Sequence, residues 1–191
     1  MAEEITALLM LRNHGRMGRY LLSSISGMGE GIARRVLENL RKNGAIKVSR
    51  GGAEITDKGE ELLRDLLRGI GVKNISEVSG FNKVLKCECS RCIAAVLSTA
   101  IMEDHLMRLR DEAIKGGSDA VLFMRYTCPE GRFMIYRLGS YLGDFDRDAE
   151  ENLRRSLTPD CDDDVVVLCG GNYYRVIKSL VHIMGFITKQ P

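Results

Sequence analysis

One block of the chain leaves little freedom about how it folds. Between Gly31 and Lys42 the apolar residues Ile32, Val36 and Leu40 recur at i, i+4 and i+8, with Leu37 beside them, which is the spacing of one helix face. Asn43-Gly44 ends that helix. Ala45 to Ser49 alternates as a strand, Arg50-Gly51-Gly52 is a tight turn, and Ala53 to Thr56 reads as the returning strand. Asp57-Lys58-Gly59-Glu60-Glu61-Leu62-Leu63 then opens a further helix that runs to about Arg68. Strands this short are not stable alone, so the hairpin must pack on the helices around it.

Upstream, Glu3 to Asn13 reads as a helix with Ile5, Leu8, Leu9 and Leu11 crowding one side, stopped by His14-Gly15. Tyr20 to Ser24 is a short helical stretch, and Ser26-Gly27-Met28-Gly29 is a turn that lets two helices cross steeply. Helix, helix, turn, helix, hairpin, helix is the order of a winged helix-turn-helix, assigned to residues 1–71. The glycines of Gly69-Ile70-Gly71-Val72-Lys73-Asn74 mark the boundary.

Residues 72–191 read as a second, α+β domain. Ile93 to Ser98 is a buried strand, Met102 to Lys115 a helix, and Ala120 to Thr127 a strand that pairs across Cys128-Pro129-Glu130-Gly131 with Arg132 to Leu138. Asp146 to Leu157 is a polar helix. Asp164 to Cys169 is a very apolar strand, and Tyr173 to Ile187 is the last helix. The order β-α-β-β-α-β-α implies helices against a mainly antiparallel sheet, an α/β sandwich that is ferredoxin-like in outline.

With Val36 at the centre of the buried face and about 100° per residue, Arg34, Glu38 and Arg41 fall opposite it, and Gly31, Arg35 and Lys42 lie on one flank. Arginine can bond guanine O6 and N7 together, and the N-terminal half of such a helix is the part that enters a major groove. Gly29 and Gly31 would admit a phosphate near the helix start, where the dipole favours an anion. Lys47, Ser49 and Arg50 on the hairpin, with Arg16 and Arg19 before the second helix, suit the adjacent groove and backbone. The charge is weakly consistent: residues 1–71 hold 12 Lys/Arg against 9 Asp/Glu, and residues 72–191 hold 16 against 17.

Residues 5–67 resemble the winged-helix domains of prokaryotic transcription regulators. Gly29-Glu30-Gly31-Ile32-Ala33-Arg34-Arg35-Val36-Leu37-Glu38-Asn39-Leu40-Arg41 resembles their recognition helix, and Ile55-Thr56-Asp57-Lys58-Gly59 their junction between wing and last helix. The whole chain resembles archaeal two-domain proteins with such a winged helix and a C-terminal domain of unassigned function. The pieces that carry this are Arg110-Asp111-Glu112-Ala113-Ile114-Lys115-Gly116-Gly117 and Val165-Val166-Val167-Leu168-Cys169-Gly170. The resemblance implies a regulator that binds double-stranded DNA, and reading two half-sites implies a homodimer. The apolar last helix fits a dimer interface or core equally well. The alternative is a protein-interaction adaptor without sequence-specific DNA binding.

Other groups carry weaker expectations. Cys87, Cys89 and Cys92 place three thiols in six residues and could chelate zinc, with Cys128 or His105 as fourth ligand; otherwise no cofactor is implied. The six cysteines do not space like a secreted disulfide framework, so thiols or metal ligands in a reducing cytoplasm are expected. Gly170, Gly171 and Asn172 join a strand to a helix and could hold a small anionic effector, or simply turn. Asp160 to Asp164 is an acidic loop that would attract a cation or merely be solvated. His182, in an apolar helix, is expected to be packed. No nucleophile–base pair stands out, so no enzyme is expected. No apolar run approaches the ~18 residues of a membrane span, and the acidic Met-Ala-Glu-Glu start lacks the basic region of a signal peptide.

Overall fold

The computed structural model describes residues 1–189. The chain runs α1 (Ala2–His14), α2 (Arg19–Ser26), α3 (Glu30–Lys42), β1 (Ile46–Ser49), β2 (Gly52–Ile55), α4 (Asp57–Gly69) and β3 (Val72–Val78). It continues through α5 (Phe81–Val84), β4 (Arg91–Leu97), α6 (Leu106–Gly116), β5 (Ala120–Thr127) and β6 (Arg132–Ile135). The last elements are α7 (Leu142–Phe145), α8 (Arg147–Leu157), β7 (Asp164–Gly170) and α9 (Tyr173–Ile187).

In the N-terminal unit β1 and β2 pair antiparallel, and Met17 exchanges two backbone hydrogen bonds with Ala53, adding the segment between α1 and α2 to the hairpin's edge. The Thr56 hydroxyl caps α4 by accepting from the Gly59 N–H at 3.2 Å and donates to the Gly44 carbonyl at 2.8 Å. A side chain on Gly59 would fall against the Ala45 carbonyl oxygen. Threonine and glycine at this junction therefore let α4 lie directly on the corner where α3 turns into β1.

The first helix departs from its expected one-sided pattern. All seven residues from Ile5 to Leu11 are buried, including Thr6, whose hydroxyl donates to the Ala2 carbonyl at 2.7 Å. A helix covered on every side needs partners all round. α1 finds them in α3 and α4 on one side and α9 on the other. One continuous core accordingly runs from Ile5 through Leu63 and Val72 to Met184. Residues 69–74 are not a free linker: they are the end of α4 and the start of β3, and the Gly71 carbonyl accepts from the Ser98 N–H.

The larger unit is α+β, built on a five-stranded sheet in the order β3-β4-β7-β5-β6 with every neighbouring pair antiparallel. β7 lies between β4 and β5. On β4, Ile93, Ala95 and Leu97 join the core shared with α6 and α9, while Cys92, Ala94 and Val96 face a second core with Leu153 and Leu157 of α8. Helices thus cover both faces, and the central strands read as unbroken apolar runs because each side is buried. The ferredoxin-like outline is not kept: β6, which it would place beside β4, is an edge strand, and β3 forms an edge the sequence reading missed.

The cysteines also differ from expectation. All six are in disulfides: Cys87–Cys89, Cys92–Cys169 and Cys128–Cys161. Cys92 and Cys169 are directly opposite in the β4–β7 register, so strand pairing brings together residues 77 apart in sequence. No spacing pattern could show that. No described helix is long and apolar enough to cross a membrane.

Candidate functional site

The surface predicted from the sequence is largely assembled. α3 buries Ala33, Val36 and Leu40, so Gly31, Arg34, Arg35 and Arg41 are all exposed, as are Arg19, Lys47 and Arg50. Arg19, Arg34 and Arg41 meet at a groove of about 460 Å³ between α3, the start of α2 and the hairpin, floored by Met17, Leu37 and Val48. Arg50 sits at the hairpin turn, and Lys47 lies opposite Glu54 on β1. A Cβ built on Gly29 or Gly31 meets nothing within 4 Å, so the start of α3 is open to close approach.

Several groups depart from the expected pattern. Arg35 is exposed but does not line the groove. Arg34 pairs with Glu38 at 3.0 Å along the helix, and that hydrogen bond holds the Glu38 carboxyl below the usual carboxylate range. Arg16 is committed to Glu54 at 2.7 Å and anchors the hairpin rather than standing free. Arg19 donates to the Tyr20 hydroxyl at 2.8 Å and lies over that ring. Tyr20 and Val48 were not anticipated; both are mostly exposed beside the arginines, and isolated surface apolar residues give no periodic signal.

The chain resembles no family model and no curated protein in the comparisons made. Among solved structures it is similar to a hypothetical protein from Pyrococcus horikoshii OT3, with a TM-score of 0.72 and 21% identity over 99% of this chain and 93% of that one. The likeness is one of fold.

Gly170, Gly171 and Asn172 do not form an open cradle. The Ser90 N–H and hydroxyl donate to the Gly170 and Gly171 carbonyls at 3.2 and 2.8 Å, and Asn172 caps α9 by accepting from the Arg175 N–H at 2.9 Å. The Asn172 side chain also fills the space beside Gly27, which adopts φ +76° at the α2–α3 turn; a Cβ there would lie 2.6 Å from Asn172 Nδ2. The segment is a joint between the two units. Glu77 on β3 adds to it, accepting from Asn13 at 2.7 Å, contacting His14 at 3.1 Å and accepting from the Tyr173 hydroxyl. Burial, and then that carboxylate, push the Tyr173 hydroxyl well above its ordinary value.

The cysteine expectation is overturned, since Cys87, Cys89 and Cys92 are bonded to sulfur rather than free to bind zinc, and Cys128 is likewise bridged. Among the described residues no group of three or more His, Cys, Asp or Glu is arranged to hold a metal. The acidic loop splits its carboxylates: Asp163 accepts from Lys73 at 2.6 Å, while Asp164 is buried and accepts from Arg125 at 3.0 Å, from the Tyr136 hydroxyl at 2.6 Å and from the Ile101 N–H. His182 is not packed; its ring is partly exposed, 3.6 Å from Glu112.

Proposed function

We propose that this chain is a double-stranded DNA-binding transcription regulator, with residues 1–71 as a winged helix-turn-helix that reads DNA through α3 and the β1–β2 hairpin. The observation that carries the reading is the convergence of Arg19, Arg34 and Arg41 on one groove beside an unobstructed start of α3. The element order, the Met17–Ala53 bridge and the Thr56 cap support the winged-helix assignment. Positioning falls to Arg19, Arg41, Lys47 and Arg50 on phosphates, and base reading to Arg34, whose guanidinium must leave Glu38 to bond a base edge. Reading two half-sites calls for a homodimer. On α9, Val176, Ile177, Leu180, Ile183 and Met184 lie in the core, and Val181 and Phe186 are half-buried residues left for a partner. No catalytic role is proposed.

Selection of bound sequences from random DNA, followed by affinity measurements at several salt concentrations, tests this. A recovered motif with affinity falling as salt rises is expected, and Arg34→Ala should cost about 1–3 kcal/mol on the selected site and less on random DNA. Absence of DNA affinity at low salt would overturn the reading. One observation favours the adaptor alternative: Val48 in the groove and Tyr20 against Arg19 at its edge are both mostly exposed, as a protein partner would require. Substituting Tyr20 and Val48 by serine should then abolish partner binding, and the parent chain should select no sequence from random DNA.

A further inference from the structure

A second groove lies in the larger unit, among residues that the DNA reading does not use. It encloses about 330 Å³ between α6, β5 and the chain leaving β6, and Leu106, Val121, Phe123 and Ile135 line it together with the exposed Met107 and Leu138. The short β6 creates it. β6 pairs with β5 only from Met124 to Thr127, so Ala120, Val121 and Leu122 are paired with β7 on one side and with no strand on the other. An open strand edge among exposed apolar side chains is a surface that proteins ordinarily cover.

The groove is also basic. Its charged lining residues are Arg110 and Arg137, both exposed, and neither has a carboxylate within ion-pair distance among the described residues. The crest of α6 beside it has the opposite sign. At about 100° per residue, Met107, Asp111 and Ile114 share one outward strip, and Glu103 and Asp104 stand in the turn just before it. All five are exposed, and the three carboxylates have no cation within ion-pair distance among the described residues. Arg108 falls on the other flank of the helix, shared with Glu112, which meets His182 of α9. An apolar, acidic ridge thus runs beside an apolar, basic groove.

We propose that this face joins two copies of the chain about a two-fold axis, with the α6 ridge of each seated in the groove of the other. A two-fold contact uses one patch twice, so the patch must complement itself. This one does. Met107 of each copy enters the other's groove, and the carboxylates of Asp104 and Asp111 meet the guanidiniums of Arg110 and Arg137. The α9 flank of the same helix offers less, because Val181 and Phe186 are half-buried there and Glu112 beside them is already engaged by Lys115 at 2.6 Å and by His182. The inference rests on the DNA-binding reading for the need of a dimer, since two half-sites call for two copies, and it adds where those copies meet.

Sedimentation of the full chain without DNA, over a range of concentrations, tests this. The parent chain is expected to be a dimer. Met107→Glu occurs twice in each dimer and should weaken association about a hundredfold, roughly tenfold per site, while circular dichroism shows the fold unchanged because the position is on the surface. Two charge-reversed chains sharpen the test. Arg110→Glu/Arg137→Glu makes the groove acidic, Asp104→Lys/Asp111→Lys makes the ridge basic, and each chain alone should be monomeric. Mixed, they should form a heterodimer, because both contacts then bring opposite charges together. A monomeric parent chain would leave the groove to an acidic, apolar segment of another protein and overturn the proposal. So would a dimer that Met107→Glu leaves intact, or charge-reversed chains that stay monomeric when mixed. Absence of DNA affinity in a chain that sediments as a dimer would instead overturn the DNA reading alone.

Discussion

Gly59 and Gly69 lie at opposite ends of α4, and the same change to alanine should move stability in opposite directions. At Gly69 a Cβ meets nothing within 4 Å, so only helix propensity acts, and at this terminal position it contributes about 0.5 kcal/mol in favour of alanine. At Gly59 the same gain, about 1 kcal/mol inside a helix, is opposed by collision. The new methyl falls against the Ala45 carbonyl oxygen, 2.7 Å from Ile55 Cγ1 and 3.1 Å from the Ala45 carbonyl carbon. Overpacking costs about 1–3 kcal/mol when side chains can yield. Here the obstacle is backbone fixed by the Thr56 hydroxyl on Gly44, so the upper end applies and the net loss is about 2 kcal/mol. Urea unfolding followed by circular dichroism measures both. With a slope of about 2–3 kcal/mol per molar for a chain of this size, Gly59→Ala should lower the midpoint by roughly 0.7–1 M and Gly69→Ala should raise it slightly. A Gly59→Ala variant as stable as the parent chain would refute the close packing of α4 on the α3–β1 corner.

Three further outcomes are expected. Asp164→Ala strips the shared acceptor from Arg125, Tyr136 and the Ile101 N–H; it should cost about 3 kcal/mol, the low end for a broken buried pair because Arg125 keeps a third of its surface in water, and a urea midpoint within error of the parent would count against it. Burial, and then a hydrogen-bonded carboxylate, raise the hydroxyls of Tyr136 and Tyr173, so the stability they contribute is complete below the unfolded tyrosine value of about 10 and is lost as pH rises beyond it. Midpoints compared at about pH 8 and 11 should show that fall, less steeply in Tyr136→Phe/Tyr173→Phe, and an equal slope in both proteins would contradict the assignment. Glu38→Gln releases Arg34 and removes a negative charge from the groove, so DNA affinity should rise a few-fold and the salt slope steepen by up to about one phosphate's worth; weaker binding would show that Glu38 orients Arg34.

Much of the local structure was legible because local rules wrote it. α3, the hairpin, α4, β5 and α9 fall within a few residues of the positions that periodicity and glycine placement imply, and the arginine face follows from the step of a helix. β3 was hidden because a bulge between Val72 and Asn74 puts Val72 and Ile75, three apart, in one core while Val78 faces the other, which breaks the alternation that marks a strand. Non-local features left no trace in any short window. Ile5, Leu8, Leu9 and Leu11 read as one face, yet the whole run from Ile5 to Leu11 is buried, since a second partner of α1 lies near the other end of the chain. Asp164 looked like one of several loop acids; only the sheet order turns it inward toward Arg125 and Tyr136. The partners of Cys92 and Cys128 were equally invisible, because strand register chose them.

The all-round cover of α1 also has a consequence for how the protein is made. Glu3 and Tyr174, which meet across the α1–α9 contact, are 171 positions apart, so α1 is translated long before the surface that completes its burial. Until then an unbroken greasy stretch must be sheltered by the nascent chain itself or by a chaperone. The N-terminal unit is therefore not a portable cassette. A fragment ending at residue 71 would carry every arginine of the groove yet lack half the wall around its central helix, and it should aggregate where the longer chain stays folded.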